Sequence, residues 1–309
     1  MMPPGEGERF GGYLLIKKIG EGGMASVYLA RAHDDPPDAP PVVVKRLHEQ
    51  LEKDRDAVDL FLTEADVTMM LDHPNIIKVF DCGEAGSRYF MTMEYVHGKD
   101  LEQIWLRLRQ KSVVMATELA VQVFLAILRG LDYVHNAKMP SGRPLGIVHR
   151  DVTPSNIYVN TAGGIKIGDF GVAKLMGVEG WTMAGSLKGK LGYLAPEQIN
   201  GEPPAQSIDL WAAAVIFYEL LSGQRAFTGD VELDIMLRIR GGKLPALRKV
   251  NPAAPKELEK FLKRALHRKP KKRFATAAEM ATELEAYQAV NGGPLSDAQL
   301  IEQLTAALI

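Results

Sequence analysis

The feature that most constrains this chain is a short polar stretch, His149-Arg150-Asp151-Val152-Thr153-Pro154-Ser155-Asn156, with Asp169-Phe170-Gly171 beginning 18 residues after Asp151. Asp151 can accept a proton from a hydroxyl, and Asn156 and Asp169 are oxygen donors suited to a hard cation such as Mg²⁺. Residues 156–160 and 165–167 read as short strands about a Gly163-Gly164 turn, which sets Asp169 beside Asn156. A base for a hydroxyl next to two donors for a hard cation outlines a site for phosphoryl transfer.

At 309 residues the chain can bury a large core and exceeds most single domains, so two lobes are expected. Lys and Arg number 37 against 38 Asp and Glu, a net charge of −1, and nothing in that balance calls for nucleic acid or a membrane surface as partner. Cys82 is the sole cysteine, so no internal disulfide can form and a reducing, cytoplasmic setting is expected. The first residues lack the basic-then-apolar layout of a signal peptide, and no apolar run approaches the length that spans a bilayer.

Along the chain, residues 13–19 and 26–31 read as strands joined by Gly20-Glu21-Gly22-Gly23-Met24-Ala25. Glycines let a hairpin tip press its N–H groups onto phosphates, although on their own such glycines more often mark only a tight turn. Val42-Val43-Val44-Lys45 is an apolar strand ending in a lysine, and a buried ammonium is costly unless paired. Its candidate partner is Glu64, on a helix over 56–71 whose Val58, Phe61, Leu62, Ala65 and Met69 recur at helical spacing. Taken singly, each of the two charges would read as an exposed side chain. A strand over 88–95 then runs through Met93-Glu94-Tyr95-Val96 towards Gly98.

Downstream, Leu119, Val123, Ile127, Leu131 and Val134 mark a long amphipathic helix over 118–136, and residues 207–221 are apolar on nearly every face, as in a central buried helix closed by Gly223. Asp209 within it, and Glu197 before it, would each be costly to bury unpaired. Helices over 256–267 and 277–289 follow. A last one, opened by the capping sequence Ser296-Asp297-Ala298-Gln299, carries Leu300, Leu304 and Leu308 on one stripe. That stripe either packs back on its own domain or docks a partner or a further segment.

In order and spacing these motifs resemble the protein-kinase family, with its H-R-D-x-x-x-x-N loop, D-F-G motif, Gly-rich loop and strand lysine. The pairing of H-R-D-V-[ST]-P with a later G-K-x-x-Y resembles the bacterial eukaryotic-like (Hanks-type) serine/threonine kinases, and Pro154 points the same way. The resemblance covers residues 10–288. It implies an α+β, bilobal protein-kinase fold: an N-terminal extension over 1–9, an antiparallel-sheet lobe over 10–96, a mainly helical lobe over 97–288 and a helical tail over 289–309.

The function so implied is transfer of the ATP γ-phosphate to protein Ser/Thr hydroxyls, with autophosphorylation in signal transduction. ATP would lie between the lobes with Mg²⁺, or Mn²⁺ in its place. Asp151 would act on the acceptor hydroxyl, Lys45, paired with Glu64, would fix the α and β phosphates, and Asn156 and Asp169 would hold metal. The nucleotide would be lined by Gly20, Glu21, Gly22, Gly23, Met24, Ala25, Val27, Val43, Met93 as gatekeeper, Glu94, Val96 and Tyr158. Arg150 would pair with a phosphorylated loop, for which Thr182 and Ser186 are candidates, or these are simply two solvated hydroxyls. Glu197 with Arg273, and Asp209 with the catalytic loop, would be scaffold. Partners would be protein substrates and, for trans-autophosphorylation, a second copy.

Several residues depart from the family pattern. The lysine usual two residues after the catalytic aspartate is Thr153, and the threonine usual before A-P-E is Lys190, so one ammonium and one hydroxyl have exchanged places. We read this as a swap in which Lys190 supplies the γ-phosphate charge and Thr153 a bracing hydrogen bond. Ala25 replaces the third loop glycine, its methyl limiting the loop's freedom, while Val43 and Tyr158 add bulk at the adenine slot. These departures favour an alternative, a pseudokinase that serves as a nucleotide-binding scaffold. The presence of Lys45, Glu64, Asp151, Asn156 and Asp169 weighs against it.

Overall fold

The computed structural model describes residues 7–36, 38–170 and 190–308. They fall into two compact units: one holds the residues up to Val96 together with Phe170, the other holds 97–169 and 190–308.

In the first unit, β1 (Glu8–Phe10), β2 (Tyr13–Glu21), β3 (Ala25–Ala32), β4 (Val42–Leu47), β5 (Val79–Ala85) and β6 (Arg88–Glu94) form one antiparallel sheet in the order β1-β2-β3-β4-β6-β5. Helix α1 (Arg55–Met69) begins at Asp54, whose carboxylate accepts the N–H groups of Asp56 and Ala57 and so satisfies two of the helix's orphan donors. Its Ala57, Val58, Phe61 and Ala65 pack with Ala25, Leu47 and Met91 of the sheet. Because strand side chains alternate, Lys45 shares a face with Leu47 and therefore points to the side that α1 covers.

The second unit is mostly helical. A small antiparallel sheet, β7 (Gly98–Asp100), β8 (Ile157–Asn160) and β9 (Ile165–Ile167), has β8 in the middle. A side chain at Gly98 would meet the Val159 carbonyl oxygen at 1.9 Å, so only glycine lets β7 approach β8. The helices are α2 (Leu101–Gln110), α3 (Thr117–Asn136), α4 (Pro196–Ile199), α5 (Ser207–Ser222), α6 (Glu232–Gly241), α7 (Leu247–Val250), α8 (Lys256–Ala265), α9 (Ala277–Val290) and α10 (Asp297–Leu308). Every residue of α5 from Ile208 to Ser222 is buried, and the left-handed Gly223 ends the helix, as its all-round apolar sequence predicts. Phe217 of α5 stacks on Phe124 of α3 at 4.3 Å, and Phe261 of α8 meets both rings edge-on.

The expected tail helix forms as α10. Ser296 opens it through the reciprocal bonds Ser296 N to Gln299 Oε1 (3.0 Å) and Gln299 N to Ser296 Oγ (3.4 Å). Leu300, Leu304 and Ala307 are buried and the helix packs on α2 and α3, so of its two readings it is the packed one that is observed. The stripe turns through Ala307; the side chain of Leu308 lies outside the described residues.

Glu197 and Arg273 form a bidentate pair, both contacts 2.7 Å, with Arg273 stacked over Trp211 at 4.7 Å. Both side chains are almost wholly buried, so removing one leaves the other charged and unsolvated. Arg273→Ala is therefore expected to destabilise the helical unit by about 3–5 kcal/mol, read as a lower urea midpoint of the transition that reports α-helix.

Candidate active site

Strands β2 and β3 hold the Gly-rich turn, closed by a hydrogen bond from Gly22 N to Ala25 O of 2.8 Å. The turn is gripped from a neighbouring strand. Residue 47 pairs with Ala25, so His48 sits beside the loop; its N–H donates to Met24 O at 2.8 Å and its Nε2 lies 2.9 Å from Gly22 O. Glu21 accepts from Ser26 Oγ at 2.9 Å and pairs with Lys18, and these two bonds hold its carboxyl below the usual carboxylate range. The methyl of Ala25, expected to restrict the loop, is instead a strand side chain in the core beneath the sheet. Lys45 Nζ lies 2.9 Å from Glu64 Oε1, with both side chains largely covered. Val43 pairs with Met93 of β6, and the Glu94 carboxylate accepts from Lys78 N at 2.7 Å.

In the second unit the catalytic-loop candidates hang from one carboxylate. Asp209 accepts from His149 N, Arg150 N and His135 Nε2, each at 2.8 Å. Burial pushes the His149 imidazole towards its neutral form. Its Nδ1 accepts from Asp151 N at 3.3 Å, which leaves Nε2 to donate to Gly168 O at 3.2 Å and so fixes the tautomer. Asn156 Nδ2 donates to the Asp151 carbonyl oxygen at 2.8 Å and to its Oδ2 at 3.0 Å, an orientation that turns the amide oxygen of Asn156 away from Asp151.

Lys190 Nζ lies 2.6 Å from Asp151 Oδ2. With the lysine side chain 41% exposed, such a pair contributes roughly 0–1 kcal/mol to stability. The segment carrying Lys190 is anchored by Tyr193, whose hydroxyl donates to Glu219 Oε2 at 2.8 Å and accepts from Arg225, itself paired with Glu219 and Glu102 and stacked 4.0 Å over Trp105. Thr153 is buried, and its Oγ1 lies 3.0 Å from Ser155 Oγ, a contact within its own loop.

Gly168 N donates to Asn156 O at 3.0 Å, which brings Asp169 beside Asn156. Tyr158, expected only as added bulk, donates its hydroxyl to Asp169 Oδ2 at 2.8 Å; the adjacent carboxylate and burial push its phenol far above the ordinary range. Arg150 (φ +65°) and Asp169 (φ +52°) are two of the three non-glycine residues with positive φ among those described. Conformations of that kind cost about 1–3 kcal/mol each and persist only where surrounding bonds over-determine them, as Asp209 and Tyr158 do here.

One carboxylate and one amide oxygen suit Mg²⁺, which binds through few protein oxygens and completes its shell with phosphate oxygens and water. Among the described residues no group of three or more His, Cys, Asp or Glu is placed to hold a metal ion. Thr182 and Ser186 lie outside the described residues. Two contacts escaped the sequence reading: His48 could have been found from the β3–β4 register, whereas the Tyr158–Asp169 bond needs the hairpin's geometry.

The protein kinase domain family matches residues 13–284. Over 278 residues the chain is 34% identical to a protein named tyrosine-protein kinase MasK from Myxococcus xanthus. It is 33% identical to a probable serine/threonine-protein kinase PknB from Lactococcus lactis and 31% to the serine/threonine-protein kinase PrkC from Bacillus subtilis. These alignments take in 90%, 88% and 90% of this chain but only 43%, 41% and 41% of the relatives, so the chain spans less than half their length. The crystal structure of the Mycobacterium tuberculosis PknI kinase domain is similar with a TM-score of 0.67 at 25% identity, covering 92% of this chain and 99% of that one. The chain belongs to the protein kinase family and has its fold, and the family uses ATP with a divalent metal.

Because burial and Glu219 raise the Tyr193 phenol well above its ordinary value near 10, it stays protonated where exposed tyrosines ionise. The tyrosinate absorbance gained by the folded chain between pH 9 and 11 is accordingly expected to be the same in Tyr193→Phe; loss of one tyrosine's worth would contradict the assignment.

Proposed function

We propose that the chain transfers the γ-phosphate of ATP to serine or threonine hydroxyls of protein substrates, using an ammonium relocated to Lys190. The observation that carries this reading is the 2.6 Å contact of Lys190 Nζ with Asp151 Oδ2, on a carboxylate that Asn156 already orients. Asp151 positions the acceptor hydroxyl and takes its proton as the acceptor oxygen bonds to the γ-phosphorus and the bond to the bridging oxygen of ADP breaks. Lys45, held by Glu64, fixes phosphate oxygens, and Lys190 offers charge where the γ-phosphoryl group develops it. Asn156 and Asp169 would hold Mg²⁺, with Mn²⁺ a substitute, and the metal would supply neutralisation of phosphate charge. Catalysis of this kind rests on positioning more than on covalent chemistry.

Serine/threonine preference is supported by Pro154 and by the names of the Lactococcus and Bacillus relatives, while the Myxococcus relative's name raises tyrosine as the competing acceptor. The scaffold-only alternative has less support, since Lys45, Glu64, Asp151, Asn156 and Asp169 are all present and make the contacts above. Self-phosphorylation at Thr182 or Ser186 through a second copy belongs to the same proposal, as does a reducing, cytoplasmic setting that rests on the single Cys82. Among the described residues no helix is long and apolar enough to cross a membrane.

The test is phosphate incorporation from MgATP into the chain and a generic acceptor protein, with sites mapped by mass spectrometry. Phosphoserine or phosphothreonine, slowed about a hundred- to ten-thousandfold in Asp151→Asn and about a hundredfold or more in Lys190→Ala, is the expected result. Phosphotyrosine alone would overturn the acceptor class, and an undiminished Lys190→Ala would overturn the role of the relocated lysine.

A further inference from the structure

Tyr158 occupies the middle strand of the small sheet, paired to Asp100 of β7 on one side and Lys166 of β9 on the other, with its neighbours Ile157 and Val159 wholly buried on the opposite face. A side chain so mounted has little freedom. Its hydroxyl reaches Asp169 Oδ2 at 2.8 Å, while Gly168 N ties the residue before Asp169 to Asn156 O at 3.0 Å. Asp169 is thus gripped through the residue before it and at its own carboxylate, and its φ of +52° is a conformation that needs such a grip. No aliphatic side chain at position 158 could supply the second contact.

A carboxylate has about four lone-pair sites, and the Tyr158 hydroxyl takes one of them while fixing the plane in which the carboxylate presents itself. Hydrogen-bond donors behind a metal ligand commonly set its orientation, and losing one typically weakens metal binding ten- to a hundredfold. From this geometry we infer that Tyr158 is a positioning residue of the phosphotransfer site: its hydroxyl, rather than its ring, pre-sets Asp169 for the divalent metal. The inference rests on the reading of Asn156 and Asp169 as metal donors.

The experiment titrates Mn²⁺ into the full chain with a non-hydrolysable ATP analogue and follows water-proton relaxation, a signal enhanced by protein-bound Mn²⁺ and independent of turnover. Tyr158→Phe keeps the ring and removes only the hydroxyl. It is expected to bind Mn²⁺ about ten- to a hundredfold more weakly, with Tyr158→Leu no worse. Phe matching the unmodified chain while Leu falls would assign the effect to the ring, and tighter binding by Phe would make the hydroxyl a competitor of the metal; either overturns the inference but leaves the metal donors standing. No relaxation enhancement by the unmodified chain, or full enhancement in Asp169→Asn, would remove the metal-site reading and this inference with it.

Discussion

A single buried carboxylate holds the candidate active site in shape. Asp209, 1% exposed, accepts two backbone N–H groups of the catalytic loop and one imidazole nitrogen. Burying a lone carboxylate costs several kcal/mol. Hydrogen bonds to a charged group return roughly 1.5–3 kcal/mol each, so three of them offset the penalty only when all are made. That condition forces His149 and Arg150 into one backbone arrangement, with Arg150 at positive φ, and the arrangement sets the direction in which the chain enters Asp151. The carboxylate can serve as an anchor because α5, buried on all sides, cannot shift without disturbing the aromatic core around Phe217.

From that anchor the order propagates by short links. His149 bridges to Gly168, Gly168 to Asn156, Asn156 to Asp151 and Asp151 N back to His149, so Asp151, Asn156 and the residue before Asp169 are parts of one hydrogen-bonded ring. The ion pairs differ in kind. Glu197 and Arg273 are sealed from water and serve the scaffold, whereas Lys190 and Asp151 are partly open and weak as a stabiliser. The Lys190–Asp151 pair therefore carries little weight in folding, and the use proposed for it is chemical.

Much of this was legible in the sequence because it is local or strongly periodic. The loop spacing, the apolar strand ending in Lys45 and the capped tail helix follow from residue types along the chain, whereas the Lys45–Glu64 pair and the Asp209 anchor are what the family resemblance implied. What escaped depends on register and on where a side chain ends. Ala25 reads as a loop residue until its pairing with Leu47 turns its methyl into the core. Tyr158 reads as bulk until the β8–β9 hairpin brings its hydroxyl to Asp169. His48 has no motif at all and matters only because β4 ends beside the Gly-rich turn.

The claim on which the account turns is that Asp151 and Lys190 act as one unit. A double-mutant cycle on the single-turnover rate, comparing Asp151→Asn, Lys190→Ala and the combined variant, tests it most directly, because residues that work together show strongly non-additive losses. The account predicts that Lys190→Ala costs little more once Asp151 has been replaced. Losses that simply multiply would mean that the two side chains contribute independently, and that the 2.6 Å contact between them is incidental to the chemistry.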